Sequence, residues 1–392
     1  MEAPWLIIQV LVGCHFVAPL VMYLAFALRR KEGKPDPRFP EASYDYGLIV
    51  TAYEETKLIP EIVSSLLRLN YDRYLIYVVA DKCDMTHLRF DDPRVVVLVP
   101  PATLANNVAS HFYAINHFRR PHNVLAIFDS DNLVHPEFVN ECNFRFNQGY
   151  AAVQGLRAAK RTDTLYASLD AARDIYYHFY DGEVLFGLGS SATLAGSGMA
   201  FKTELYVDCM SAVTSRGAGF DKLLQAQLVL NGYRIAFNRH AIVYDEKTAH
   251  SDQLVNQRAR WINSWFKYAG LGLRLFSVGL RRADLNQLLF GFILLRPPLF
   301  MFLSLGALFM VMGWLIYPPH AIGWLIAFGL FTTGFIIALW HSDADKKIYR
   351  SLFRAPLFIY YQFVALLFSR NADKRSVATK HSREEPPINP GK

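Results

Sequence analysis

The order of hydrophobic and polar positions divides the chain into three regimes. Residues 5–28 form an apolar run of about 24 residues, enough for a helix that crosses a bilayer. From 36 to about 247, short apolar runs alternate with amphipathic stretches: 46–52, 75–80, 95–99 and 124–128 read as strands, and 58–69, 108–118 and 136–148 as helices. Strands that are apolar at successive positions suit burial on both faces, and their alternation with helices predicts βαβ units and a parallel sheet. Beyond 253 the pattern is helical again. Residues 253–282 interleave Trp261, Trp265, Phe266 and Tyr268 with Arg258, Arg260, Lys267 and Arg274, which suits a helix at the level of lipid headgroups. The stretches 297–317 and 320–340 predict a hairpin of two spans turning at Pro318 and Pro319. A last apolar stretch, 355–368, is about 14 residues long, short for a span, and is expected to be interfacial.

Composition moves this picture toward a membrane. Hydrophobic residues make up 52% of the 392, and the net charge is +7. Basic residues collect beside the apolar runs, at Arg29-Arg30-Lys31, Arg281-Arg282, Lys346-Lys347 and Lys374-Arg375, a placement that answers to anionic lipid and topology; no nucleic-acid partner is expected. Glu2 precedes the first run and the basic triplet follows it, the reverse of a cleaved signal peptide. An uncleaved anchor with its N-terminus outside is expected, with the following domain and the basic tail 370–383 in the cytosol. Cys14, Cys83, Cys142 and Cys209 show neither metal-binding nor disulfide spacing, and a reducing compartment is the simplest setting.

Candidate chemistry lies at the strand ends. Asp129 and Asp131 follow the run 124–128, and two carboxylates one residue apart repel unless a cation or a donor-rich ligand neutralises them. Such oxygen ligands suit Mg²⁺ or Mn²⁺ bridging to phosphates, at the sheet edge where open α/β folds bind ligands. The alternative is an acidic turn capping the next helix. Glu54, Glu55, Asp81 and Asp84 follow the first two strands, as binding groups or as helix caps. Further on, Gln257, Arg260 and Trp261 share one helical face and offer an amide, a guanidinium that pairs with phosphate and an aromatic plate, unless this is only a basic amphipathic helix.

From about Tyr46 to Tyr268 the chain resembles family 2 glycosyltransferases, in particular membrane-embedded synthases of the cellulose, hyaluronan and poly-N-acetylglucosamine type. Asp81, the Asp129-x-Asp131 pair, the Gly-rich segment 194–201 and Gln257-x-x-Arg260-Trp261 carry the resemblance. It implies an α/β fold of the GT-A, Rossmann-like kind: a mostly parallel sheet with helices on both faces, plus transmembrane and interfacial helices. The implied organisation is an anchor (1–34), a cytosolic catalytic domain (35–252), the Gln-x-x-Arg-Trp and interfacial helices (253–296), a transmembrane hairpin (297–340), and an interfacial helix with a basic tail (341–392). It implies Asp81, Glu55, Asp129, Gln257 and Arg260 at the donor, Asp131 as ligand of Mg²⁺ or Mn²⁺, and Ser197, Gly198 and Trp261 at the acceptor. Arg260 would also oppose leaving-group charge, and Asp221 would be the catalytic base. At the place of the family's Thr-Glu-Asp the chain reads Gly219-Phe220-Asp221-Lys222, in which only the Asp survives, and spacing to Asn231-Gly232-Tyr233 supports the match; the alternative is that Asp221 caps its helix. Where a Lys-containing segment is usual, the chain has Asn106-Asn107-Val108.

The implied activity is inverting transfer, at the inner membrane, from a nucleotide-diphosphate sugar, a UDP-sugar first, to a growing β-linked polysaccharide. Single transfer to a lipid acceptor, and a non-catalytic nucleotide-sugar-binding assembly subunit, are the alternatives. The lipid bilayer and an oligomeric or secretion partner complete the expected contacts.

Overall fold

The computed structural model describes residues 2–29, 43–213, 219–248 and 251–369. Arg30, Lys31 and the basic tail from Arg370 lie outside them. In chain order the first elements are α1 (Glu2–Leu28), β1 (Tyr46–Tyr53), α2 (Ile59–Leu67), β2 (Tyr74–Asp81), β3 (Val95–Leu98), α3 (Asn107–Asn116), β4 (Val124–Asp129), β5 (Leu133–Val134), α4 (Phe138–Asn147) and β6 (Ala152–Ala159). There follow α5 (Leu165–Tyr177), a π-helical segment (His178–Val184), α6 (Leu185–Gly187), β7 (Met199–Lys202), α7 (Thr203–Met210), α8 (Phe220–Leu230) and β8 (Ile235–Asp245). The rest is helical: α9 (Ser251–Arg282), α10 (Leu285–Leu295), α11 (Leu299–Ile316), α12 (Pro318–His341), α13 (Lys346–Ser351), a 3₁₀ turn (Leu352–Arg354) and α14 (Ala355–Phe368). They form two compact units.

The sheet unit comprises the described parts of Lys34–Arg161 and Thr193–Thr248. Its strands run in the order β3-β2-β1-β4-β7-β6-β8-β5. β1 pairs in parallel with β2 and β4, β2 with β3, and β6 with β8, whereas β7 is antiparallel to both β4 and β6, and β5 to β8. The sheet is therefore mixed, less parallel than the pattern suggests, because the Gly-rich segment contributes β7 as an antiparallel strand in its middle. β2 is buried along its whole length, and β1 and β4 are buried except near their C-terminal ends, as expected for strands covered on both faces. Register places Asp81 beside Tyr53 and Asp129 beside Thr51, so three strand ends deliver their following residues to one edge. Between β6 and β8 the ladder shifts at Gly155, where a Cβ would meet the Ala241 carbonyl at 2.3 Å. Only glycine fits that bulge.

The helical unit comprises the described parts of Met1–Gly33, Thr162–Ala192 and Ala249–Arg370. Residues 162–192, inside the stretch 35–252 read as one domain, thus fold with the apolar helices. α9 and α10 form a close hairpin: a Cβ at Gly279 would lie 2.4 Å from the Leu288 nitrogen, and one at Gly291 2.3 Å from the Phe276 nitrogen. Backbones approach that closely only over small residues, so α9 and α10 pack helix on helix. α11 and α12 are the predicted hairpin, turning at Tyr317. Among the described residues four helices are long and apolar enough to cross a membrane: Pro4–Leu28, Leu299–Ile316, Pro318–His341 and Lys346–Phe368. The fourth differs from expectation, because helix continues back from 355 to Lys346 and makes a rod of 23 residues.

Candidate active site

At the sheet edge the backbone is strained. Glu54, Lys82 and Ala105, none a glycine, have φ of 61°, 55° and 45°. Left-handed backbone in such residues costs free energy and clusters at functional sites. Glu54 and Lys82 end adjacent strands and pair with each other at 2.7 Å. The buried Asp81 accepts the amides of Leu104 at 2.9 Å and Ala105 at 2.7 Å, one on each oxygen, so it holds the loop that precedes α3. Glu55 is half-buried and accepts the Lys57 amide at 3.1 Å. Asn106, in the segment where a lysine is usual, is the N-cap of α3.

Asp129 and Asp131 flank this edge at the end of β4. Burial, then the charge of Asp131, push the Asp129 carboxyl up to about 7; Arg157 opposes the rise, and Asp245 and Asp221 add to it. Carboxylates from the turn after β4, from α8 and from β8 therefore all act on Asp129. Asp221 is not a helix cap: Gly219, with φ 98°, holds that position, and Asp221 sits in the first turn of α8 with Lys222 Nζ at 3.6 Å. Phe220, next to it, packs edge-on against the buried His111.

The Gly-rich segment is clamped against these strands. The Asp129 amide donates to Ser197 Oγ at 3.3 Å, the Gly198 amide to the Ile127 carbonyl at 2.9 Å, and the Leu194 and Ala195 amides to Gln225 and Gln154 at 2.9 and 2.8 Å. Gly198 has φ 63° and leaves room for Val243, which a Cβ would approach to 3.1 Å. The structure thus brings Asp129, Asp131, Ser197 and Gly198 together, with Asp221 near enough to act on the Asp129 charge and with Asp81 and Glu55 on the same sheet edge.

As hard oxygen donors that repel each other, Asp129 and Asp131 fit a divalent cation. Among the described residues no three His, Cys, Asp or Glu side chains form a metal-holding group, so a cation here takes its remaining ligands from water or phosphate.

Gln257, Arg260 and Trp261 stand on α9 in the helical unit. Gln257 and Arg260 are half-buried, and burial lowers Arg260 from its ordinary value. Trp261 is 38% exposed. Its ring is faced by two guanidiniums, Arg258 at 4.1 Å and Arg173 at 4.6 Å from its centroid. Both arginines pair with the buried Asp170 of α5, Arg173 at 3.0 Å. Arg258 and Arg173, neither of them on the face counted from Gln257, are therefore the residues against which Trp261 lies. Sequence reasoning missed Arg258, Arg173 and Asp170 here, and Asn132, Arg157 and Asp245 in the sheet unit.

The topology and the acidic edge define a GT-A glycosyltransferase fold, and residues 43–264, more than half of the chain, match the family described as glycosyltransferase like family 2. The chain belongs to that family and is a nucleotide-sugar glycosyltransferase. Among solved structures it is similar to the mannosyltransferase PcManGT from Pyrobaculum calidifontis in complex with GDP-Man and Mn²⁺, at 15% identity and TM-score 0.56, over 93% of this chain and 99% of that one. S. aureus TarS 1–349 in complex with UDP-GlcNAc matches at 13% identity and TM-score 0.43, over 84% of this chain and 90% of that one. Curated proteins return no match.

Proposed function

We propose that this chain is a membrane-bound, inverting, divalent-metal-dependent glycosyltransferase that moves a sugar from a nucleotide-diphosphate sugar, a UDP-sugar first, to a growing polysaccharide in β-linkage. The observation that supports this reading is the pair of carboxylates, Asp129 and Asp131, at the C-terminal end of a buried strand, with Asp221 on a separate helix adding to the rise of the Asp129 carboxyl. That arrangement supplies a donor side and a base side. Asp81 and Glu55 take the base and ribose end of the donor, Asp129 the ribose or diphosphate, and Asp131 holds Mg²⁺ or Mn²⁺. When bound, the cation neutralises charge developing on the diphosphate. Asp221 removes the proton of the attacking acceptor hydroxyl on the opposite face, which inverts the anomeric centre. Gln257 and Arg260 belong, in this reading, to the leaving diphosphate, and Ser197, Gly198 and Trp261 to the acceptor.

A second reading, single transfer to a lipid acceptor, is favoured by the four candidate spans, few for a chain that also translocates a polymer. Membranes carrying the protein are incubated with labelled UDP-glucose, UDP-N-acetylglucosamine and GDP-mannose, with and without EDTA, and the products are sized and partitioned into organic solvent. High-mass, water-soluble product that EDTA abolishes is expected. Organic-soluble label of one sugar replaces polymer by lipid transfer. Donor binding with no product from any of the three makes the chain a binding subunit.

A further inference from the structure

The residue immediately after the acidic pair has every hydrogen-bonding position engaged. Asn132 is fully buried. Its Oδ1 accepts the Asp129 amide at 3.1 Å and also the Ser197 hydroxyl. Its Nδ2 donates to Asp131 Oδ1 at 2.9 Å and to Asp245 Oδ1 at 3.3 Å. A primary amide offers two donors and two acceptor lone pairs, and here each meets a partner. The orientation is forced, because a backbone N–H can only donate and so requires the oxygen on its side.

Asp245 is fastened in turn. Arg157 Nη2 lies 2.6 Å and Lys247 Nζ 2.9 Å from its Oδ2, and Arg157 also donates to the Ala195 carbonyl. A continuous chain of bonds therefore runs from Asp131 through Asn132 to Asp245 and on to cations from β6 and the residues after β8. One side chain also connects the end of β4 to the Gly-rich segment through Ser197.

We infer that Asn132 is the positioning residue that presents Asp131 to a divalent cation, holding it against Asp245 and the Gly-rich segment. The inference rests on the metal-dependent reading above and adds a residue to it. No shorter side chain spans these four partners. An aspartate at 132 would keep the oxygen toward Asp129 and Ser197 but turn oxygen toward two carboxylates. Partners that orient a metal ligand typically contribute 10–100-fold to metal affinity.

The test uses the full chain in detergent, with Mn²⁺ as the probe. Free Mn²⁺ is followed by electron paramagnetic resonance in the presence of UDP and, separately, GDP, and nucleotide binding is also measured in EDTA. In Asn132→Leu the Mn²⁺ dissociation constant is expected to rise about 10–100-fold, while metal-free nucleotide binding stays at the wild-type level. That split separates positioning from general damage. Should the Leu variant fail to fold, Asn132→Asp decides: its metal-free melting temperature is lower, and Mn²⁺ raises it by more than in wild type, since the cation then relieves three carboxylates. Mn²⁺ affinity within about twofold of wild type in Asn132→Leu, or an equal or smaller Mn²⁺-induced shift in Asn132→Asp, overturns the role of Asn132 and leaves the metal reading standing. Absence of Mn²⁺ binding by wild type with either nucleotide overturns both.

Discussion

Asp170→Asn removes one charge from a place where water does not reach. The Asp170 side chain is 3% exposed and that of Arg258 2%, and Arg258 Nε and Nη1 have no hydrogen-bond partner, so the Asp170 carboxylate is the counter-charge in direct contact with this guanidinium. Burial pulls Arg258 down to about 10, with Arg173 adding and Asp170 opposing, so at neutral pH it stays cationic. Arg173 keeps Asp174 as a second acceptor; Arg258 keeps the rings of Trp261 and Phe358 and the more distant charge of Asp174. Two unit charges about 4 Å apart at an effective dielectric near 20 attract by ~4 kcal/mol. Breaking a buried pair from one side typically costs about 3–5 kcal/mol. For a unit of this size, with roughly 2–4 °C per kcal/mol, the melting temperature should fall by roughly 6–20 °C. Scanning fluorimetry in detergent at pH 7 reads it. The paired replacement Asp170→Leu with Arg258→Met should recover most of the loss, because an apolar pair carries no desolvation cost. A fall below about 2 °C for the single variant would mean that the pair is solvated, and that Trp261 is not held by it.

Asp221→Asn should leave donor affinity by calorimetry close to wild type and lower transfer by roughly 10²–10⁴-fold; near-normal transfer places the base elsewhere. Gly198→Ala combines a left-handed φ with contact to Val243 and should cost about 1–3 kcal/mol, more than Gly196→Ala, where φ is 86° and nothing lies within 4 Å; equal losses in thermal unfolding remove the packing argument. Burial holds His111 down to about 3, below its ordinary value. Its contribution is therefore complete above about pH 6.5 and is lost toward lower pH by about 1.4 kcal/mol per unit, so His111→Phe should flatten the acid limb of the stability profile; an unchanged limb assigns it to other groups. Cysteine labelling from outside should reach position 319 and not 371 if Lys346–Phe368 lies at the interface; labelling at 371 makes that helix a fourth span.

β1, β2 and β4 were legible because burial on both faces leaves no polar position to blur the pattern, and the residues they deliver to the sheet edge were legible with them. β7 was not: its four residues follow two left-handed glycines and showed only as part of a Gly-rich segment. The helical unit is drawn from three distant pieces of chain, and no local periodicity shows that 162–192 belongs with it. Arg258 was within reach, since positions 258 and 261 are neighbours on a helix, but counting the face from Gln257 left it out. Asp170 lies 88 residues before its partner and carried no signal. Asn132 stood beside the acidic pair and was overshadowed by it, because an amide matters only through partners that folding supplies.

The π-helical segment His178–Val184 has a consequence for how this chain can change length. Such a segment is a helix that has taken in an extra residue and kept going, and here it carries Asp181 against the buried Arg296. Such an insertion leaves the helix on either side of it in phase, whereas removing one residue from the α-helical turns of α5 before it would turn everything that follows by about 100°. Asp181 would leave Arg296, Tyr180 would lose the Gly334 carbonyl that its hydroxyl now reaches at 2.8 Å, and the face toward α12 would be presented to the wrong neighbours. A single-residue deletion here should therefore be worse tolerated than a two-residue deletion in an exposed turn, and comparing surface-expressed protein from the two deletions would show it. This helix is locked in phase, and the count of residues in it is as constrained as their identity.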